Sequence, residues 1–200
     1  MLTGAVVVTL AYLLGSVSTA IVVCRLMGLP DPRTEGSNNP GATNVLRIGG
    51  KKAAALTLAG DSLKGVIPML ACHLLGVSVT VFALAGLAVF LGHLYPVFFG
   101  FKGGKGVATF LGALLALDLG AGLVACAAWL AVALVLRYSS LSSLCAAAVA
   151  PFALFGLTGA VDLSLVIAAM SVLLIVRHRQ NIANLLAGRE RRIGEKSART

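Results

Sequence analysis

The sequence predicts an all-α polytopic membrane protein, and three observations predict it. The 200-residue chain is 58% hydrophobic and only 12% charged, where a soluble domain carries about a quarter charged residues. Its mean hydropathy is +0.97. Its apolar residues also fall into runs long enough to cross a bilayer, divided by polar segments that hold nearly all the Lys and Arg.

The elements follow in chain order. Residues 2–24 form a first span with no charge, and without a basic leader or clear cleavage site it reads as a retained span. A polar stretch rich in Gly, Pro and Asn runs from Arg25 to Lys52. Residues 53–76 form a second span, with Asp61 and Lys64 inside it, and residues 78–97 a third. A Gly/Lys loop at 100–106 leads into an apolar run, 107–136, interrupted only by Asp118. A single helix over 103–136 would be about 51 Å long, too long for a core of about 30 Å. Two short helices turning at "LDLGAG", 117–122, fit instead. After the polar "RYSSLSS" at 137–143, residues up to 176 hold two spans that turn near "GLTGAVDLS". The tail from Arg177 is basic and amphipathic.

The predicted total is seven transmembrane helices, with five as the alternative. Lys and Arg set the orientation. With seven spans, the loops near residues 77, 118 and 160 hold neither, while Arg25, Arg33, Arg47, Lys51, Lys52, Lys102, Lys105, Arg137 and the tail share the other side. The N-terminus is therefore expected outside and the C-terminus in the cytoplasm. Five spans would strand Arg137 outside. The net charge of +9 then reflects this cytoplasmic bias, and no nucleic-acid partner is expected. Cys24, Cys72, Cys126 and Cys145 are scattered without a C-x-x-C, and read as small buried hydrophobes rather than disulfides or metal ligands.

Three polar constellations stand out in this apolar chain. "RTEGSNNPGATNVLR", 33–47, gathers Ser37, Asn38, Asn39, Thr43, Asn44 and Arg47 around Gly36, Pro40 and Gly41. Such residues dominate turns, but so long a polar run at the bilayer edge suggests a binding segment. "FKGGKG", 101–106, combines bare backbone with Lys102 and Lys105 at the start of an apolar run. Gly-rich backbone and a helix N-terminus suit an oxyanion or phosphate, and a flexible interfacial loop whose lysines meet anionic lipid headgroups is the equal alternative. It is not a Walker A loop, because Gly106 stands where Ser or Thr would follow the lysine. "RHRQNIANLLAGRERR", 177–192, reads as an interfacial helix, and His178 and Asn181 lie three apart on one side of it. His93, before "YPVFF", is a candidate to orient the Gly loop, with simple packing as the equal alternative. Asp61 and Lys64, three apart, offset each other's burial and read as packing or as support of the site rather than as catalytic groups. "SSLSS" offers hydroxyls, though serines also ease helix packing.

Together these stretches resemble the three motifs of the bacterial acyl-phosphate-dependent glycerol-3-phosphate acyltransferases, the PlsY family. "GSNNPGATNVLR" looks like the first, "GHLYPVFFGFKGGKGVAT" the second and "RHRQNIANLLAGRE" the third. The resemblance covers nearly the whole chain. It implies a single integral membrane domain, 1–200, in the bacterial inner membrane, with cytoplasmic motifs at 33–47, 92–109 and 177–190. The activity it implies is transfer of an acyl group from acyl phosphate to the 1-hydroxyl of sn-glycerol 3-phosphate, giving lysophosphatidate and phosphate. Ser37, Arg47, His178 and Asn181 are then the expected catalytic residues. Asn39, Asn44, Gly103, Gly104, Lys105, Gly106 and Thr109 are expected to bind substrate and phosphate, with His93, Lys102, Ser142 and Glu190 in support. No metal or cofactor is expected. The implied partners are glycerol 3-phosphate, acyl phosphate and the lipid bilayer, with the enzyme that makes acyl phosphate as a further candidate. One departure is visible: the family reads Ser-Gly-Asn where this chain has Ser37-Asn38-Asn39. If the glycine serves a positive φ, Asn is the next most tolerant residue. The alternative function is a small membrane transporter of an anionic solute, although such proteins place polar sites near the midplane.

Overall fold

The computed structural model describes residues 2–195, and every regular element among them is helical. The described residues cluster into two compact units, one ending at Ala113 and one running Leu114–Glu195.

The first unit holds α1 (Leu2–Gly15), α2 (Thr19–Leu26), α3 (Ala42–Leu74), α4 (Val79–Leu94), a 3-10 turn at Val97–Phe99 and the start of α5 (Val107–Leu117). The expected unbroken first span is interrupted at Ser16–Ser18, and α1 and α2 meet at 43°. Ser16 donates its hydroxyl back to Tyr12 O at 2.9 Å, and Ser18 is extended. Local hydroxyl bonding of this kind competes with the helix ladder. The stretch read as polar also holds a helical segment ahead of the second span. Helix α3 begins at Ala42, inside the stretch read as polar, and Gly50 breaks it with φ +77 and ψ −174. Before the break, Val45 is buried while Thr43 and Arg47 are half-buried, so an amphipathic helix occupies a segment that hydropathy alone reads as loop.

Glycines set the close approaches in this unit. A side chain at Gly15 would meet Val89 O, and one at Gly92 would meet Tyr12 O, so α1 and α4 pack backbone to backbone. Gly65 faces Thr109 O, and Gly112 faces Ser62 O, which brings α3 and α5 together in the same way. Small residues at helix contacts are the usual means of close packing in lipid.

The second unit holds the end of α5, then α6 (Leu119–Val135), α7 (Ser139–Thr158), α8 (Val161–Arg177) and α9 (Arg179–Leu186). The turn expected at 117–122 is present: Asp118 caps α6 by accepting from Ala121 N at 2.7 Å. The turn near 160 is present as well, with Gly159 at φ +66 closing α7. Buried Ala121, Ala125, Ala146, Ala147 and Ala150 let α6 and α7 approach closely. Helix α9 bends away from α8 by 59°.

Three segments, Ala42–Leu74, Val79–Phe99 and Ser139–Thr158, are each long and apolar enough to cross a membrane, and the two bent pairs raise the number to five. A count of seven needs α5 and α6 as well, which have 11 and 17 residues. Many large apolar side chains, Phe152, Leu134 and Leu165 among them, are exposed along the helices, as lipid-facing residues are.

Candidate functional site

The first motif is a loop closed by Asn44. Its side-chain oxygen accepts from Ser37 N at 2.8 Å, and its amide nitrogen donates to Pro32 O and Glu35 O, both at 2.9 Å. Asn44 is buried near the start of α3, so the helix holds the loop through one side chain. Its amide is spent on the loop's backbone; expected among the substrate-binding residues, it shapes the segment that presents Ser37. Gly36 takes φ +66, and a Cβ there would meet the Asn44 oxygen. Asn38 takes φ +54, so the position where the family has glycine is left-handed and Asn tolerates it. Ser37 and Asn38 are exposed, while Asn39 and Arg47 are half-buried.

The loop is also tied to the second motif. Arg33 pairs with Asp31, with Nη2 to Oδ2 at 2.6 Å and Nε to Oδ1 at 3.0 Å, and donates from Nη1 to Phe99 O at 3.3 Å. The bonded guanidinium holds the Asp31 carboxyl below its ordinary value, and Asp31 raises Arg33 in return.

The Gly/Lys turn packs on the C-terminal end of α4. Gly104 N donates to His93 O at 3.2 Å. A Cβ at Gly103 would meet the His93 and Leu94 carbonyls, and one at Gly104 would meet His93 Nε2 and Pro40 O. Gly106, at φ +85, lies against Phe90 and Leu94. The glycines thus allow a turn pressed against α4 and the first motif, and α5 starts immediately after it. Lys102 is exposed and Lys105 half-buried beside it.

Beneath the turn lies a buried polar cluster. Thr109 donates its hydroxyl to Asp61 O at 2.9 Å and lies 3.2 Å from His93 Nδ1. The Asp61 carboxylate is 3.0 Å from Lys64 Nζ and 3.7 Å from His93 Nδ1. Lys64 also donates to Val17 O at 2.8 Å. Thr109, expected to bind substrate, is wholly buried with these protein partners.

In the second unit the third motif forms its own cluster. Glu190 Oε1 accepts from Asn181 Nδ2 at 2.7 Å and from Ser140 Oγ at 2.6 Å. This joins α9 and the segment after it to the start of α7. His178 is buried, and its Nδ1 lies 2.8 Å from Leu174 O. A carbonyl only accepts, so Nδ1 carries the proton. Ser142 is buried and back-bonds to Tyr138 O at 2.8 Å.

The structure therefore joins Ser37, Asn44, Gly103, Gly104, His93 and Thr109 within one unit, and Ser140, Asn181 and Glu190 within the other. Sequence reasoning missed the Asp31–Arg33 brace, for which the only signal was a charge pair two residues apart. It also took Ser142 from the serine run where Ser140 meets Glu190. Among the described residues no group of three or more His, Cys, Asp or Glu is arranged to hold a metal ion.

Comparison with known proteins covers nearly the whole chain. The family described as glycerol-3-phosphate acyltransferase matches residues 5–188. A glycerol-3-phosphate acyltransferase of Methylococcus capsulatus is 56% identical over 93% of this chain and 94% of its own length. One from Ralstonia nicotianae is 59% identical over 95% and 94%. The crystal structure of PlsY, an integral membrane glycerol 3-phosphate acyltransferase, in its glycerol 3-phosphate form is similar with a TM-score of 0.91 and 44% identity, covering 96% of both chains. Its lysophosphatidic acid form gives 0.88. With a family match over residues 5–188, relatives more than half identical and a shared membrane fold, this chain belongs to the glycerol-3-phosphate acyltransferase family.

Proposed function

We propose that the protein transfers an acyl group from acyl phosphate to the 1-hydroxyl of sn-glycerol 3-phosphate, releasing 1-acyl-glycerol 3-phosphate (lysophosphatidate) and phosphate, the first acylation step of phospholipid synthesis. The observation that carries this reading is the Gly103–Gly106 turn. It brings bare backbone, Lys105 and the N-terminus of α5 together, packed against the Ser37 loop through Pro40. A small phosphorylated alcohol suits such a turn, because a helix N-terminus and a lysine both favour an anion. Glycerol 3-phosphate is named for the relatives, and the phosphate turn supports it here. The acyltransferase family displaces the anion-transporter alternative.

The chemistry follows from the substrates. The 1-hydroxyl oxygen attacks the acyl carbonyl carbon, a new ester C–O bond forms, and the C–O bond to phosphate breaks. The acyl group is already activated by its phosphate leaving group, so positioning and charge stabilisation are what the protein must supply. Lys105 and the turn hold the phosphate of glycerol 3-phosphate, with Lys102 and Asn39 adding polarity. Arg47 and Ser37 serve the acyl phosphate and the developing oxyanion. Two acceptors are available for the hydroxyl proton. One is His178, whose Nδ1–H donates to Leu174 O. The other is the phosphate of the donor. Asn181, braced by Glu190, presents its amide beside that histidine in sequence.

The proposed setting is the bacterial inner membrane, with seven spans and all three motifs cytoplasmic. A polybasic cytoplasmic side supports this orientation. The donor assignment is tested with purified protein given palmitoyl phosphate or palmitoyl-CoA, each with glycerol 3-phosphate. Lysophosphatidate and phosphate should form from the acyl phosphate alone. Equal product from the CoA ester overturns the donor, and no product from either overturns the reaction.

A further inference from the structure

The Asp61–Lys64 pair sits inside a long apolar helix, buried beneath the Gly/Lys turn. A buried ion pair is costly, and well-packed apolar residues would join helices at least as well. Its geometry shows what it supports. Thr109 has one hydroxyl hydrogen, given to Asp61 O at 2.9 Å. Its 3.2 Å contact with His93 Nδ1 is therefore an Nδ1–H donating to Oγ1. The Asp61 carboxylate at 3.7 Å favours that same tautomer. One edge of the imidazole is thus fixed by α3 and α5, and the other edge, Nε2, lies against Gly104. His93 O meanwhile accepts from Gly104 N. The ring and backbone of one histidine both define where the turn lies. Lys64 carries the chain of contacts further, to Val17 O in the break between α1 and α2.

We infer that Asp61, Lys64 and Thr109 are positioning residues for glycerol 3-phosphate, acting through His93 to fix the Gly103–Gly106 turn. The inference rests on the reading that this turn holds glycerol 3-phosphate. None of the three touches substrate. The break in the first span, the ion pair, the hydroxyl and the histidine form one support running from the membrane interior to the turn. Loosening it lets the turn sample other placements, and only a fraction of the molecules then presents the binding geometry. That fraction divides the affinity of the substrate held there and leaves the chemical step of the bound complex nearly intact.

Thr109→Val keeps the shape and removes the hydroxyl; Thr109→Ser keeps the hydroxyl. In the substrate-free protein, amide hydrogen exchange over 103–106 should accelerate in Thr109→Val and stay at the wild-type rate in Thr109→Ser. Loss of one or two buried hydrogen bonds should raise the KM for glycerol 3-phosphate about fivefold to thirtyfold in Thr109→Val. The KM for the acyl donor and kcat should stay within about twofold, as for an intact chemical step. The ion pair replaced together, Asp61→Asn with Lys64→Met, gives an independent route and should show the same split. Unchanged exchange in both variants overturns the inference whichever substrate the turn holds. Faster exchange with wild-type kinetics overturns its functional half. Faster exchange with a raised donor KM keeps the positioning support and overturns instead the assignment of glycerol 3-phosphate to the turn.

Discussion

Asn44→Ala isolates the contribution of one buried side chain to the loop that carries Ser37. The substitution removes three hydrogen bonds, of 2.8, 2.9 and 2.9 Å, and leaves the Ser37 N–H and two carbonyls to find water. Each such bond contributes about 1 kcal/mol net, so the closed loop loses about 3 kcal/mol. At 1.4 kcal/mol per decade, the ratio of closed to open loop falls about a hundredfold. The buried face of α3 around Val45 is untouched, so the helices should assemble as before. The expected result is a fall in kcat/KM of one to two decades at an unchanged melting temperature of the membrane core. Trypsin reports the loop directly: Arg33 is braced by Asp31 and tied to Phe99 O, and the open loop should be cut there far faster. Wild-type kcat/KM together with wild-type resistance at Arg33 would refute the reasoning.

Four further outcomes are expected. Asn38→Gly should keep wild-type kcat/KM, whereas Asn38→Val should cost about 1–2 kcal/mol of loop stability because φ is +54; hydrogen exchange over 33–41 measures both. Lys105→Ala should raise the KM for glycerol 3-phosphate about tenfold to a hundredfold, as loss of a charge-assisted bond does, and steady-state kinetics with each substrate varied in turn checks it. The Asp31 carboxyl is held below its unfolded value by Arg33, so its brace is fully present above the ordinary Asp value near 4 and is lost as pH falls through the lowered one; trypsin-independent exchange over 31–37 from pH 6 to pH 3 should show that loss, and Asp31→Asn should abolish the pH dependence. A cysteine at Arg137, in a background lacking the native cysteines, should resist an impermeant thiol reagent in intact cells, and labelling from outside would replace seven spans with five.

The parts of this fold legible in the sequence were those set by length and by single strong residues. The break at Asp118 follows because a helix through it would overrun the bilayer, and Asp118 is the one charge in that run. Gly159 marks the next turn in the same way. The break at Ser16–Ser18 is hidden because the residues around it are uniformly apolar and hydropathy does not register a hydroxyl folding back on its own helix. The early start of α3 is hidden by Gly49 and Gly50, which read as loop although only Gly50 leaves the helical region. The site was legible as three motifs and the left-handed position at Asn38 was anticipated from the family's glycine. Its internal wiring was not. Asn44 reaches back to Pro32, Arg33 reaches Phe99 and Ser140 reaches Glu190, and separations of 12, 66 and 50 residues leave no local periodicity to read.

The lengths of α5 and α6 bear on the membrane itself. Helix α5, with 11 residues, extends about 17 Å, and α6, with 17, about 26 Å. Most of α5 is buried or half-buried, so lipid scarcely meets it, but Leu119, Leu123, Leu130 and Leu134 of α6 are exposed. In the seven-span arrangement proposed above, acyl chains beside α6 would face an apolar wall about 4 Å shorter than a hydrocarbon layer of about 30 Å. The leaflets must dimple to match it, at a cost of fractions of a kcal/mol per Å. Shorter or more unsaturated lipids relieve that dimple, so they should gather around α6, and bilayers built from them should hold the protein most favourably.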